Sequence, residues 1–204
     1  MLKNILFCTI FLVGFITTVE AQSVKKEVKA YRAKYIADLL GEEHSPFYKK
    51  EEEIKYLQFY KPKKNYRVEC SFERTPDEVP FDMATYSGKT KQFVKYGILT
   101  FKLNGKDLQL AVYQNLMLQK VETYKDYLFI PFMDLTNGET TYGGGRYFDI
   151  KTGDIKGDKL ILDFNKCYNP YCAFSDGYNC PIPPKENHLD IAVEAGEKMY
   201  GKGH

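Results

Sequence analysis

The sequence predicts a mainly β protein: a single antiparallel β-barrel or strongly curved sheet with an N-terminal amphipathic helix packed against it. Three observations carry this reading. Several segments alternate apolar and polar residues with period two and are joined by turn signals. Aromatics are plentiful, with 17 Tyr, 14 Phe and no Trp, and aromatic side chains favour the half-buried surface of a strand. One segment near the start instead carries apolar residues at helical spacing.

The 204 residues amount to one domain, long enough to bury about two-thirds of the unfolded surface. Residues 1–21 read as an export leader. Lys3 supplies the positive start, residues 5–19 an apolar run, and Val19-Glu20-Ala21 a small-x-small cleavage site before Gln22. The expected organisation is therefore a signal peptide over 1–21 and one β-rich domain over 22–204. The product would be exported, periplasmic or secreted, with no stable membrane insertion after cleavage. Four cysteines remain: Cys70, Cys167, Cys172 and Cys180. In an exported chain they permit two disulfides. Cys172 and Cys180 flank a short loop and are the favoured pair. Cys70 and Cys167 read more readily as small buried apolar residues.

Val24, Val28, Tyr31, Tyr35, Ile36 and Leu39 define the helix, with Ser23 as its expected N-cap and Gly41 as its stop. Ser45-Pro46 opens a second short helix through the Glu51-Glu52-Glu53 run. Tyr66, Val68, Cys70 and Phe72 then alternate with polar residues as a half-buried strand. Residues 92–103 form a long strand bent at Gly97, and Asn104-Gly105 turns it into a return strand carrying Leu108, Leu110 and Val112. Further strands are expected at 127–132, 139–150 and 159–164, with Pro131 marking an edge or a bulge. Leu189, Ile191 and Val193 suggest a last short strand.

Several of these segments carry a resemblance. Tyr96-Gly97-Ile98-Leu99-Thr100-Phe101, Leu128-Phe129-Ile130-Pro131-Phe132-Met133-Asp134 and Thr140-Thr141-Tyr142-Gly143-Gly144-Gly145-Arg146-Tyr147 are three of them. They continue in Leu162-Asp163-Phe164-Asn165, Tyr168-Asn169-Pro170-Tyr171-Cys172-Ala173, Cys180-Pro181-Ile182-Pro183-Pro184-Lys185-Glu186-Asn187 and Ala195-Gly196-Glu197-Lys198. In these the chain resembles a bacterial and archaeal family known only as domain of unknown function 1684. The resemblance implies a shared fold and site but no activity. Cys167 stands where the family pattern leads one to expect a small residue such as Ala, which sets it outside any shared chemistry.

Residues 127–171 mix acids, amides and an arginine among aromatics and glycines. That mixture is costly to bury unless the polar groups pair or bind something. Arg146 follows Gly143, Gly144 and Gly145. An arginine fork beside exposed backbone N–H groups suits a carboxylate or phosphate, and the alternative is a structural ion pair with Glu139, Asp149 or Asp163. Tyr142, Asn165, Tyr168 and Asn169 complete the candidate ligand-binding set, and Tyr147 and Tyr171 are further candidates to line a pocket, since tyrosine offers an apolar body and a polar tip. Asp134, Glu139, Asp163 and Glu186 are the candidate acid/base groups, because carboxylates held close together have their pKa values driven apart. Asp134 serves equally well as a turn cap. Other chemistries lack their motifs. The three histidines, His44, His188 and His204, form no H-E-x-x-H pair, no G-x-S-x-G elbow is present, and no metal site or cofactor is indicated. The formal net charge of +2 gives no electrostatic argument for nucleic acid as a partner. The expected partner is a small polar or anionic ligand bound by a non-enzymatic β domain. The alternatives are an exported hydrolase or lyase using two of the four acids, or a structural or interaction module without a ligand.

Overall fold

The computed structural model describes residues 3–202, with side chains from Gln22 onward. The expected leader over 1–21 lies outside the residues whose side chains are described. Helix α1 (Lys3–Gly41) is followed by seven strands. They are β1 (Arg67–Arg74), β2 (Phe81–Ala84), β3 (Thr90–Leu103), β4 (Lys106–Asn115), β5 (Tyr127–Phe132), β6 (Arg146–Lys151) and β7 (Lys159–Asp163). They form one antiparallel sheet in the order β6-β5-β4-β3-β1-β7, with β2 beside the first part of β3. The sheet curls into a half-barrel, and α1 packs against it.

The period-two pattern divides the sheet into two apolar faces. On the inner face Leu99, Phe101, Leu110, Val112, Ile130 and Phe132 form the main core. Phe164 and the apolar residues of the C-terminal segment (Leu189, Ile191, Val193 and Ala195) close it. The outer face carries a second, more aromatic cluster of Phe93, Ala111, Tyr113, Phe129 and Tyr147 with Met83. Phe93 reaches that face through a β-bulge between Lys95 and Gly97. The extra residue shifts the alternation by one, so Phe93 points away from the core that Leu99 and Phe101 fill. At the β3–β4 hairpin Asn104 and Gly105 both have positive φ, 50° and 84°, as its two-residue turn requires.

Several sequence expectations meet a different local outcome. Ser23 lies inside α1, where its hydroxyl donates to Glu27 at 3.3 Å, so it does not cap the helix. Residues 45–56 form a turn followed by a 3-10 helix over Glu51–Tyr56, because Lys49 adopts φ 55° and breaks the helical path. The strand expected over 139–150 begins only at Arg146. Before it the Thr136 carbonyl accepts from the N–H groups of Glu139, Thr140 and Thr141 at 3.0–3.2 Å, which coils the chain into a turn. Leu189, Ile191 and Val193 are buried as their alternation predicts, but their backbone is irregular and bonds to Met133 and Leu135.

Pro131 sits in an inner strand, since β5 lies between β4 and β6. The β4–β5 ladder is correspondingly sparse, with Tyr113 opposite Phe129 as its registered pair. Asn187 supplies the missing pairing. Its side-chain amide accepts from the Ala111 N–H at 2.7 Å and donates to the carbonyls of Ala111 (2.9 Å) and Pro131 (2.7 Å). A buried side-chain amide thus stands in for the peptide unit that proline cannot provide. Asn187→Ala leaves three backbone groups unpaired in a dry interior. At about 1 kcal/mol or more each, we expect a loss of roughly 3 kcal/mol in urea denaturation, and a loss below about 1 kcal/mol would contradict this role.

Candidate functional site

Two polar centres lie on either side of the Tyr168-Asn169 segment, one sealed and one open. The sealed centre is built on Arg146. Gly145 adopts φ 86°, and a Cβ there would stand 2.6 Å from the Phe132 carbonyl oxygen. The glycine therefore lets the chain turn tightly against β5 and send Arg146 inward. The Arg146 side chain is 0% exposed and pairs with the equally buried Asp134, Nη2 to Oδ2, at 2.6 Å. The guanidinium also donates to the carbonyls of Val193 (2.9 Å), Ala195 and Glu197 (3.2 Å). The other oxygen of Asp134 accepts from the Thr136 N–H and hydroxyl and from the Val193 N–H. Both Nη groups are spent on protein, the Nε has no partner among the described residues, and the paired acid is Asp134 rather than Glu139, Asp149 or Asp163.

The remaining residues singled out by sequence fall at separate places. Gly144 packs against the rings of Tyr86 and Tyr142, and its carbonyl accepts from the Tyr86 hydroxyl at 3.0 Å. Gly143 is exposed, and the Gly145 N–H is spent on the Tyr142 carbonyl. Asn165 holds both the N–H and the carbonyl of Lys63 and takes a bond from its own side chain to Asp163, and Asp163 caps the turn after β7. Glu186 accepts from Tyr113 and Lys95 on the protein surface. Glu139 is exposed in the 136–141 turn. None of the four expected acids lines the open cavity described next.

That cavity, about 460 Å³, lies between the outer face of the sheet and α1. Tyr127 and Phe129 of β5 and Tyr147 and Asp149 of β6 form its floor. Tyr35 and Leu39 of α1 stand over it, and the loop around the Cys172–Cys180 disulfide covers it with Tyr171, Tyr178 and Pro181. The disulfide joins the expected pair, while Cys70 and Cys167 are free and buried. Lys91, Asn115 and Leu118 complete the rim.

Asp149 is the chemical centre of this space. Its carboxylate is open to water at the floor of the cavity. Tyr127 and Tyr168 each donate a hydroxyl to it, one to each oxygen, at 2.6 Å. Burial pushes the Asp149 pKa up, and the two phenol hydrogen bonds pull against that shift. The same surroundings hold both phenols well above the ordinary tyrosine range, so they remain donors across physiological pH. A carboxylate offers about four acceptor positions, and two stay free for a ligand. The rings around it form a box. Tyr168 and Tyr147 lie 6.0 Å apart at 88°, Phe129 and Tyr147 4.7 Å apart at 76°, and Tyr35 and Tyr168 5.9 Å apart.

Glu197 links the two centres. Its carbonyl is held by Arg146, while its 1%-exposed side chain accepts from the Tyr35 hydroxyl at 3.1 Å and the Asn169 N–H at 2.9 Å. Its second oxygen has no hydrogen-bond partner among the described residues, and burial pushes its pKa up to about 8. Of the sequence-chosen residues, Tyr147, Tyr168 and Tyr171 line the cavity, Asn169 adjoins it, and Tyr142 lies outside its lining. Asp149, Tyr127, Tyr35 and Glu197 were missed as site residues. The available signal was the alternation Tyr127-x-Phe129 and Tyr147-x-Asp149, an aromatic second face with one acid on it.

The family profile described as "Protein of unknown function (DUF1684)" matches residues 52–198. The chain belongs to this family. The match includes Arg146, Asp149, Tyr168 and Glu197, whereas α1, which covers the cavity, precedes it. The chain is also similar to an uncharacterized protein from gene locus rrnAC0354 of Haloarcula marismortui, known from a solution NMR structure. The two are 30% identical over 88% of this chain and 96% of that one, with a TM-score of 0.67. None of the curated proteins matches.

Two outcomes follow from these geometries. Arg146→Met strands the Asp134 carboxylate in a dry site and should lower unfolding free energy by about 3–5 kcal/mol, while a change under about 1 kcal/mol would contradict the clamp. Glu197 has its folded pKa raised from 4.5 to about 8, so folding takes up a proton between those values. Its contribution is fully present below the lower value and is lost as pH rises through the upper one. Glu197→Gln should therefore flatten the decline in stability measured between about pH 5 and pH 8, and an unchanged slope would place the titration elsewhere.

Proposed function

We propose that this chain is an exported, non-enzymatic binding domain whose small polar ligand occupies the cavity between α1 and the outer face of the half-barrel. The observation that carries this is the solvent-reachable Asp149 carboxylate, fixed by two tyrosine hydroxyls at the floor of a 460 Å³ aromatic cavity. A concave, mostly apolar space with a few convergent polar groups is the usual form of a small-molecule site. The ligand supported here is a donor or cation rather than the anion suggested by Arg146, since that fork is occupied internally and Asp149 faces the cavity. Export is supported by the leader pattern over 1–21 and by the Cys172–Cys180 disulfide, a bond that persists in oxidising compartments. No helix among the described residues is long and apolar enough to cross a membrane.

Two measurements test this. Native mass spectrometry of protein purified from the cells that make it should show a non-covalent mass excess that denaturation removes. Asp149→Asn should cut its occupancy about tenfold, the scale of one charge-assisted hydrogen bond, while the surface control Glu186→Gln retains it. A ligand retained equally by Asp149→Asn, or protein that carries and takes up no small molecule, would overturn the assignment. N-terminal sequencing of the same material should begin at Gln22, and a mature chain beginning at Met1 would contradict export through this leader.

A further inference from the structure

The composition of the cavity wall narrows the chemistry of what it holds. The rings of Tyr35, Tyr127, Tyr147, Tyr168 and Phe129 surround Asp149, several of them set nearly at right angles to their neighbours. Aromatic faces carry negative potential and attract a cation that has shed its water. The carboxylate at the floor supplies a full negative charge. Of the charged side chains in the lining, Asp38, Glu42 and Asp149 are acids and Lys91 is the one cation. Asp38 is neutralised by Lys34 at 2.6 Å, and Glu42 accepts from Tyr171 at 3.0 Å. Among the described residues the charges left without a cation are therefore those of Glu42, exposed at the end of α1, and of Asp149 at the cavity floor, each held by neutral hydroxyls.

Each ligand class meets this wall differently. An anion is repelled by Asp149 and finds only Lys91, whose ammonium form burial already disfavours. A neutral molecule fills the volume but leaves the carboxylate charge uncompensated. A small cation on an apolar body satisfies both the rings and the acid. The arrangement combines an aromatic box with one solvent-reachable acid at its floor, and each part alone selects for positive charge.

We infer that the cavity binds a small organic ammonium ion, its cationic head seated among Tyr35, Tyr127, Tyr147 and Tyr168 against Asp149. This rests on the cavity being the binding site, as proposed above, and specifies what that site selects.

The test compares choline with 3,3-dimethyl-1-butanol, which has the same shape and no charge, by NMR titration of the purified protein. Choline should bind about tenfold or more tightly than the alcohol, the scale of a desolvated cation–π contact joined to a charge pair, and should shift the resonances of Tyr168 and Asp149. Asp149→Asn, with an unchanged backbone spectrum showing that it folds, should erase that preference. The surface variant Glu186→Gln, outside the cavity, should keep it. Equal affinities for the two probes would overturn the inference while leaving the cavity as a binding site. A preference that survives Asp149→Asn would overturn it by placing the cation elsewhere. Choline that leaves the spectrum unchanged would also overturn it, and the broader binding role would then stand or fall on the mass-spectrometric result.

Discussion

The buried pair of Arg146 and Asp134 is the constraint on which the rest of the molecule depends. Neither side chain has any exposed surface, so both ions are taken out of water, and such a pair is tolerated only when its remaining hydrogen-bonding positions are filled. Here most of them are filled by the backbone of the C-terminal segment, with the Arg146 Nε lacking a partner among the described residues. Arg146 collects the carbonyls of Val193, Ala195 and Glu197, and Asp134 takes the Val193 N–H. A segment with no regular secondary structure is thereby fixed in one path across the mouth of the half-barrel, where Val193 and Ala195 seal the inner core.

The functional consequence runs through Glu197. Because its backbone is held by Arg146, its side chain stands between Asn169 and Tyr35 and so ties α1 to the segment that carries Tyr168. Tyr31 and Arg32 add bonds from α1 to the carbonyls of Lys166, Tyr60 and Asn165. The helix is thus held as the upper wall of the cavity. The sheet provides the lower wall because the bulge in β3 turns Phe93 outward, which leaves an aromatic surface for α1 to cover. Inner face and outer face differ: one packs the main core, the other bounds the cavity under α1.

Much of this was legible in the sequence. Strand alternation gave Val68, Cys70 and Phe72 their places, with Tyr66 falling in the 3-10 turn just before β1; Asn104-Gly105 marked its hairpin, and the spacing of Cys172 and Cys180 marked the disulfide. The polar richness of 127–171 marked the stretch that carries both Arg146 with Asp134 and Asp149 with Tyr127 and Tyr168. The roles within it were harder to read. Arg146 behind three glycines looks like an anion receptor until the chain folds and brings Asp134 and three distant carbonyls to its fork, contacts set by tertiary structure alone. Pro131 reads as an edge residue because its repair comes from Asn187, 56 residues away. Asp149 passed as a structural partner for Arg146 because its two tyrosines come from β5 and from the loop after β7, and neither is near it in sequence.

The proposed ligand position is on the outer face at Asp149, with the Gly143–Arg146 region as scaffolding. A crystal structure of the protein isolated from its own cells, without ligand exchange, tests this most directly. Density beneath α1, in contact with Asp149 and the tyrosines around it, is the predicted result. Density seated against Gly143, Gly144 and a reoriented Arg146, with the cavity under α1 holding only water, would contradict it.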